Sequence, residues 1–262
     1  MKKLLYAVAA IVVSLSAVSC SEETKSTSVE PMNIEFWEVC ETSTLGEIYN
    51  FLYNGEADKL VAEALESEEG SLLSSLLVRE YPFKDGEGKI QYAPVRGYML
   101  AADDKNYIVA AADKDNMAKI NEYLALDGVK AMIASDVKLA WSNKNSLDGT
   151  RGGIFTLYAL QGNGGLVPAM DGSGIVEAKA VESMWGGFEV SITMNDRAAV
   201  EWANLTEKNI GKPLAIVMDN VVYSAPNVND RIDGGRSSIS GNFTSQEAEA
   251  FARALNHRAL NQ

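Results

Sequence analysis

Apolar and polar residues alternate with period two along Phe188-Glu189-Val190-Ser191-Ile192-Thr193-Met194, the pattern of a strand with one face in a core. Ile34–Cys40, Arg96–Leu100, Val137–Trp141, Ile154–Leu160 and Ser237–Asn242 are predicted as further strands. Leu214–Met218 and Val221–Ser224 flank Asp219-Asn220, a pair that tolerates the positive φ of a tight turn, so they predict a hairpin. Helical spacing replaces this pattern at Asp113–Leu126, where Met117, Ile120 and Leu124 share a face. It returns after a cap at Asn195 or Asp196, with Ala199, Trp202, Ala203 and Ile210 inward until Gly211 and Pro213 stop the helix. Capping boxes at Thr44-Leu45-Gly46-Glu47 and Thr244-Ser245-Gln246-Glu247 open two more helices. The first runs to about Glu66 with a break near Asn54-Gly55, and the second turns Ala248, Phe251, Ala252 and Leu255 inward. Pro82, Gly86, Gly88 and Pro94 mark a loop-rich region, as do Gly162, Gly164, Gly165 and Pro168. Strands and helices mix without regular βαβ alternation, which predicts an α+β fold. The polar and then Gly-rich stretch from Asn143 to Arg151 predicts a boundary between a subdomain at 32–145 and a second at 150–262.

The first residues follow a different logic. Lys2 and Lys3 precede an apolar run from Leu4 to Val18, too short to span a bilayer as a helix, and Ala17-Val18-Ser19-Cys20 resembles a bacterial lipobox. Residues 1–19 are therefore expected to be a signal peptide, and Cys20 the lipidated, palmitate-bearing N-terminus. From Ser21 to Glu30 the chain is Ser, Glu, Thr and Lys with one Val, too little to bury, so residues 20–31 are expected to be a flexible tether. Ser21-Glu22-Glu23 resembles the acidic signal that sends Bacteroidetes lipoproteins to the outer face of the outer membrane, and it equally suits a solvated linker. The expected location is the cell envelope, lipid-anchored in the outer membrane, with its face left open.

Composition narrows the chemistry. An apolar content of 47% is enough for a folded body rather than a disordered one. Without the signal peptide the chain carries 21 basic against 36 acidic residues, a charge of −15 that opposes nucleic acid and anionic lipid surfaces. Cys40 has no second cysteine to pair with once Cys20 is lipidated, and its apolar setting predicts a buried thiol. With His257 the only histidine, neither a Ser-His-Asp triad nor a multi-histidine metal site can be built. Asp113-Lys114-Asp115 begins like a calcium loop, but Ala118 and Leu124 stand where Gly and Glu are required. No phosphate-cradling loop follows the glycines either. No enzyme activity, metal or cofactor is expected.

The C-terminal residues are more specific. Phe188–Asn195, Asn209-Ile210-Gly211-Lys212, Leu214–Asp219, Tyr223-Ser224-Ala225-Pro226, Gly234-Gly235 and Ile239–Thr244 closely resemble the head of the first large periplasmic domain of SecD, an accessory subunit of the Sec protein-export machinery. Ile34–Glu38, Asn121–Leu124 and Leu139–Ser142 look like the base of that domain in Bacteroidetes SecDF fusions. The resemblance implies a mixed-sheet head on a base, contact with emerging preproteins, and no cofactor. It singles out Asn195, Gly211, Asp219, Ser224, Pro226, Gly234, Gly235, Gly241, Phe243 and Thr244, whose roles read mainly as structural. The family's Gly-rich motif before the domain and its membrane helices have no counterpart here, so proton-driven work is not expected of this chain alone.

The resulting expectation is a noncatalytic SecD-like lipoprotein that binds extended or unfolded polypeptide, with Sec components as further partners. The alternative is a surface lipoprotein reusing the fold for a host protein or glycan. Peptide binding calls for an apolar groove or an open sheet edge, and glycan binding for coplanar exposed aromatics. The anchor has a direct test: Cys20→Ser should leave the chain unprocessed or released from membranes in cell fractionation. Detergent-dependent membrane retention of Cys20→Ser would contradict the lipid anchor.

Overall fold

The structure, a computed structural model, describes residues 33–45, 80–84, 87, 89–94, 106–143, 154–184 and 186–259. The expected signal peptide, tether, first capping-box helix, Arg96–Leu100 strand and most of the Asn143–Arg151 stretch lie outside these residues.

Ile34–Val39, here β1, has a nearly continuous apolar sequence, and the fold uses both of its faces. Ile34 and Phe36 point into one core, and Trp37 and Val39 into another. That is the pattern of a strand covered on both sides rather than a half-exposed one. β1 pairs along its length with Leu214–Met218 (β10) and at its end with Ile154–Gln161 (β6). Ala110–Asp113 (β4) and Val137–Trp141 (β5) pair with β6, Val221–Ser224 (β11) extends β10, and Met170–Asp171 (β7) touches β1. The result is an antiparallel sheet of seven strands.

The two halves of the chain share this sheet. The polar stretch before residue 154 joins β5 to β6, which are partners in one sheet, and β1 from the N-terminal half sits between β10 and β6 from the C-terminal half. A boundary in sequence is therefore not a boundary in hydrogen bonding, because strand pairing ignores chain order.

A three-stranded antiparallel sheet lies over one face of the larger one: Ile175–Glu182 (β8), Phe188–Met194 (β9) and Arg236–Phe243 (β12), with β9 central. Its inward residues Val190, Ile192 and Ile239 share a core with Ile34, Phe36, Leu214 and Ile216 of the larger sheet. Two helices complete this layer. The first, Asp196–Lys208 (α3), starts where the Asn195 side chain accepts from the Ala198 N–H at 2.9 Å. Its buried face is Ala198, Trp202, Ala203 and Thr206. Ile210 falls beyond the helix and is half exposed, so Thr206 takes the place that spacing assigned to an apolar residue. Ser245–Ala259 (α4) opens with the capping box read from sequence: the Thr244 N–H donates to Glu247 Oε2 at 2.9 Å and the Glu247 N–H to Thr244 Oγ1 at 3.3 Å. Ala248, Phe251, Ala252 and Leu255 are all buried, as expected.

On a different part of the large sheet, Lys114–Leu124 (α1) and the short Asp127–Lys130 (α2) pack Ile120, Tyr123 and Val129 against Val109, Trp141 and Leu157. The Trp141 indole donates to Asn121 Oδ1 at 2.8 Å, which fixes α1 on its strand. The region read as loop-rich around Pro82 and Pro94 contains a separate hairpin, Glu80–Lys84 (β2) with Ile90–Pro94 (β3). Proline is compatible with it because a two-stranded sheet consists of edges, where an N–H can be absent.

Candidate site: an apolar cavity between the two sheets

The cavity of interest, about 290 Å³, lies where β1, β10, α3 and β12 converge. Phe36, Trp202, Leu214, Ile216, Val228 and Ile239 give it apolar walls, and Asn227, Asn229, Asp230, Ser237, Ser238 and Ser240 form its polar rim. Phe36 and Trp202 stack at 4.8 Å between ring centroids with a 55° tilt, so the strand shared by two cores also sets the indole. Trp202 is only 5% exposed, yet its indole N–H has no hydrogen-bond partner.

The wall from Pro226 to Asp233 has no regular secondary structure and is held to α3 by polar contacts. The Ile232 N–H donates to the buried Thr206 hydroxyl at 2.9 Å, and that hydroxyl donates back to the Trp202 carbonyl at 2.9 Å. Arg231 pairs with Glu207 of α3 and with Asp233, the latter at 2.9 Å. The hydrogen bond to Asp233, with the charges of Asp233 and Glu207, raises the pKa of the Arg231 guanidinium above the usual arginine value.

β1 is clamped to the other end of α3. Lys208 Nζ reaches Glu38 at 2.8 Å and the Asn209 amide donates to the same carboxylate at 3.0 Å. Burial pushes the Glu38 carboxyl up, but the hydrogen bonds from Lys208 and Asn209, with the charges of Lys208 and Lys212, hold it below its usual value.

The residues singled out in the sequence surround the cavity more than they line it. Pro226 is the one that lines it, and its carbonyl accepts from the Leu214 N–H at 3.1 Å. Gly211 donates its N–H to the Val228 carbonyl at 2.8 Å, at φ 81°. Asp219 and Asn220 have φ 48° and 67°, the left-handed pair of a tight hairpin turn, and Ser224 pairs with Ile216 at the far end. Gly234 and Gly235 turn the chain into β12 at φ 79° and 66°. A Cβ on Gly235 would also lie 2.6 Å from the Ala199 Cβ, so only glycine brings this turn against α3. Gly241 lies within β12, and Phe243, 4% exposed, meets Phe251 edge-on at 5.7 Å. Asn195 and Thr244 cap helices, as above. Sequence reading missed Thr206 and the Asn227–Ile232 wall; a hydroxyl on the inner face of an otherwise apolar helix stripe was the available signal for the first.

Cys40 is buried, donates weakly to Gln161 Oε1 at 3.7 Å, and burial with nearby Asp136 and Glu38 pushes its thiol up to about 11. It is unreactive at neutral pH and belongs to the core. Among the described residues no cluster of three or more His, Cys, Asp or Glu could hold a metal ion, and no helix is long and apolar enough to cross a membrane.

Residues 161–262 match the family model of the SecDF P1 head subdomain. The head is SecD-like. The match begins upstream of the motifs quoted from the sequence and covers β7 to α4. The SecD subunit of Rhodothermus marinus is 39% identical over 153 residues, 58% of this chain and 24% of that protein. SecD of Leptotrichia buccalis is 31% identical over 161 residues, 62% of this chain and 34% of that protein. The chain thus aligns with only a quarter to a third of these SecD subunits. A solved structure described as a membrane component SecDF that enhances protein export aligns at a TM-score of 0.33 and 18% identity, over 85% of this chain and 92% of that one. That likeness is too low to add to the sequence matches.

The clamp beneath the SecD-like head gives a pH-dependent prediction. Because the folded-state value of Glu38 is lowered, its contribution is present above its unfolded value of about 4.3 and is lost as pH falls through the lower folded value. Glu38→Gln should cost about 0.5–1 kcal/mol at pH 7, modest because Lys208 is largely exposed. Denaturant midpoints of the two proteins should converge as pH falls below about 4; an unchanged gap would show that the clamp does not depend on the Glu38 charge.

Proposed function

We propose that this protein is a noncatalytic SecD-like lipoprotein that binds extended or unfolded polypeptide in the cell envelope and assists protein export or folding there. The observation that carries the reading is the apolar cavity inside a SecD-like head, bounded by Phe36, Trp202, Leu214 and Ile216. Apolar walls with a polar rim suit a side chain that is exposed only while a polypeptide is unfolded. The strong negative charge of the chain directs the interaction away from nucleic acid and toward neutral or basic polypeptide segments.

In this reading the lipid on Cys20 and the tether to residue 31 hold the head at the outer membrane, within reach of chains crossing the periplasm. Sec components are natural partners, given the SecD subunits to which the head is similar. The motion that drives export in a membrane-embedded subunit is not assigned to this chain; its contribution is capture.

A binding measurement decides between capture and a reused fold. The purified full chain should bind a permanently unfolded, reduced and carboxymethylated protein in the micromolar range and ignore the same protein in its folded form. Equal affinity for both forms, or for neither, would remove the polypeptide-binding role.

A further inference from the structure

The two edges of the three-stranded sheet are treated differently. On the β8 side, the Asn256 side chain of α4 acts as a surrogate strand: its Nδ2 donates to the Ala178 carbonyl at 2.8 Å and its Oδ1 accepts from the Ala178 N–H at 2.8 Å. On the other side, β12 pairs only with β9, and no described residue bonds to its outer edge.

Register identifies the groups on that edge. The Met194 N–H donates to the Gly235 carbonyl at 2.8 Å, which makes this a hydrogen-bonded pair. The antiparallel alternation then turns the backbone of Ser237 and Ile239 toward Ile192 and Val190 of β9, and that of Ser238 and Ser240 outward. Edge strands are ordinarily protected by a lysine, a proline, a bulge or a covering element; the Ser237–Ser240 stretch has no lysine or proline, no described residue covers it, and the register shift in β12 comes only after it, between Ser240 and Phe243. Instead it borders the apolar cavity, with small exposed hydroxyl side chains at Ser238 and Ser240.

An open row of backbone donors and acceptors beside an apolar cavity fits one kind of occupant. We infer that an extended polypeptide segment adds to β12 as a fourth strand, pairing its backbone with Ser238 and Ser240 while one apolar side chain enters the cavity. The inference rests on the polypeptide-binding reading and names its site and mode. Strand addition draws affinity from the main chain and selectivity from the pocket, so it accepts many sequences and requires only that they be extended. At about 290 Å³ the cavity admits one aliphatic or aromatic side chain, and Asp230 on its rim disfavours an acidic neighbour.

The probe is the capped pentapeptide acetyl-Lys-Thr-Leu-Thr-Lys-amide, together with one form N-methylated at its second and fourth residues and another N-methylated at its third. Only one set of amides can face β12, so one methylated form should bind at least about tenfold more weakly and the other should bind like the parent. In hydrogen exchange by NMR, the Ser238 and Ser240 amides should exchange readily in the full chain alone and become protected with the parent peptide. Ser238→Pro, a change an edge strand tolerates because the lost N–H points outward, should weaken binding to a similar extent. Equal binding of all three peptides, or protection that appears away from β12, would overturn strand addition. If the carboxymethylated protein still binds in that case, polypeptide capture survives and only its site is wrong. If neither probe binds, both readings fail.

Discussion

A strand buried on both faces must satisfy two cores at once, and Ile34–Val39 carries that constraint for this protein. Its side chains alternate between a core shared with the SecD-like head and a core on the opposite face of the large sheet. Its backbone joins β10 to β6, so the head and the α1-bearing part of the sheet are stitched together through six residues. Phe36 also positions Trp202, and Glu38 anchors the C-terminal end of α3. The walls of the cavity therefore depend on a segment far from them in sequence.

Within the head, polar contacts shape what the apolar residues leave unfilled. A cavity lined by Phe36, Trp202, Leu214 and Ile216 persists because its outer wall is tied down by Thr206 and Arg231 rather than packed inward. Closing it would require breaking the hydrogen bond to the buried Thr206 hydroxyl, which burial makes costly to lose.

Local signals carried much of the fold into the sequence. The Thr244–Glu247 capping box, the Asp219-Asn220 turn, the Asn195 cap and the alternation of β9 each depend on contacts a few residues apart, and each appears where the pattern places it. β8 was not legible, because Glu177, Ala178, Lys179 and Ala180 are helix-forming residues held in a strand by β9 and Asn256. The insertion of β1 between β10 and β6 was invisible for a different reason: strand order is set by long-range pairing, and a polar linker says nothing about which strands meet across it. Among the site features, the caps and glycine turns that frame the cavity were readable, whereas the cavity itself is a property of packing.

Native-state hydrogen exchange on the full chain addresses the shared strand most directly. If β1 ties the two parts into one cooperative unit, the slowest amides of β1, of β9 in the head and of β6 in the large sheet must open with the same free energy, and Phe36→Ala must lower all three together. A head whose β9 amides keep their own opening free energy, unaffected by Phe36→Ala, would show that the two parts fold independently and that β1 is not their common support.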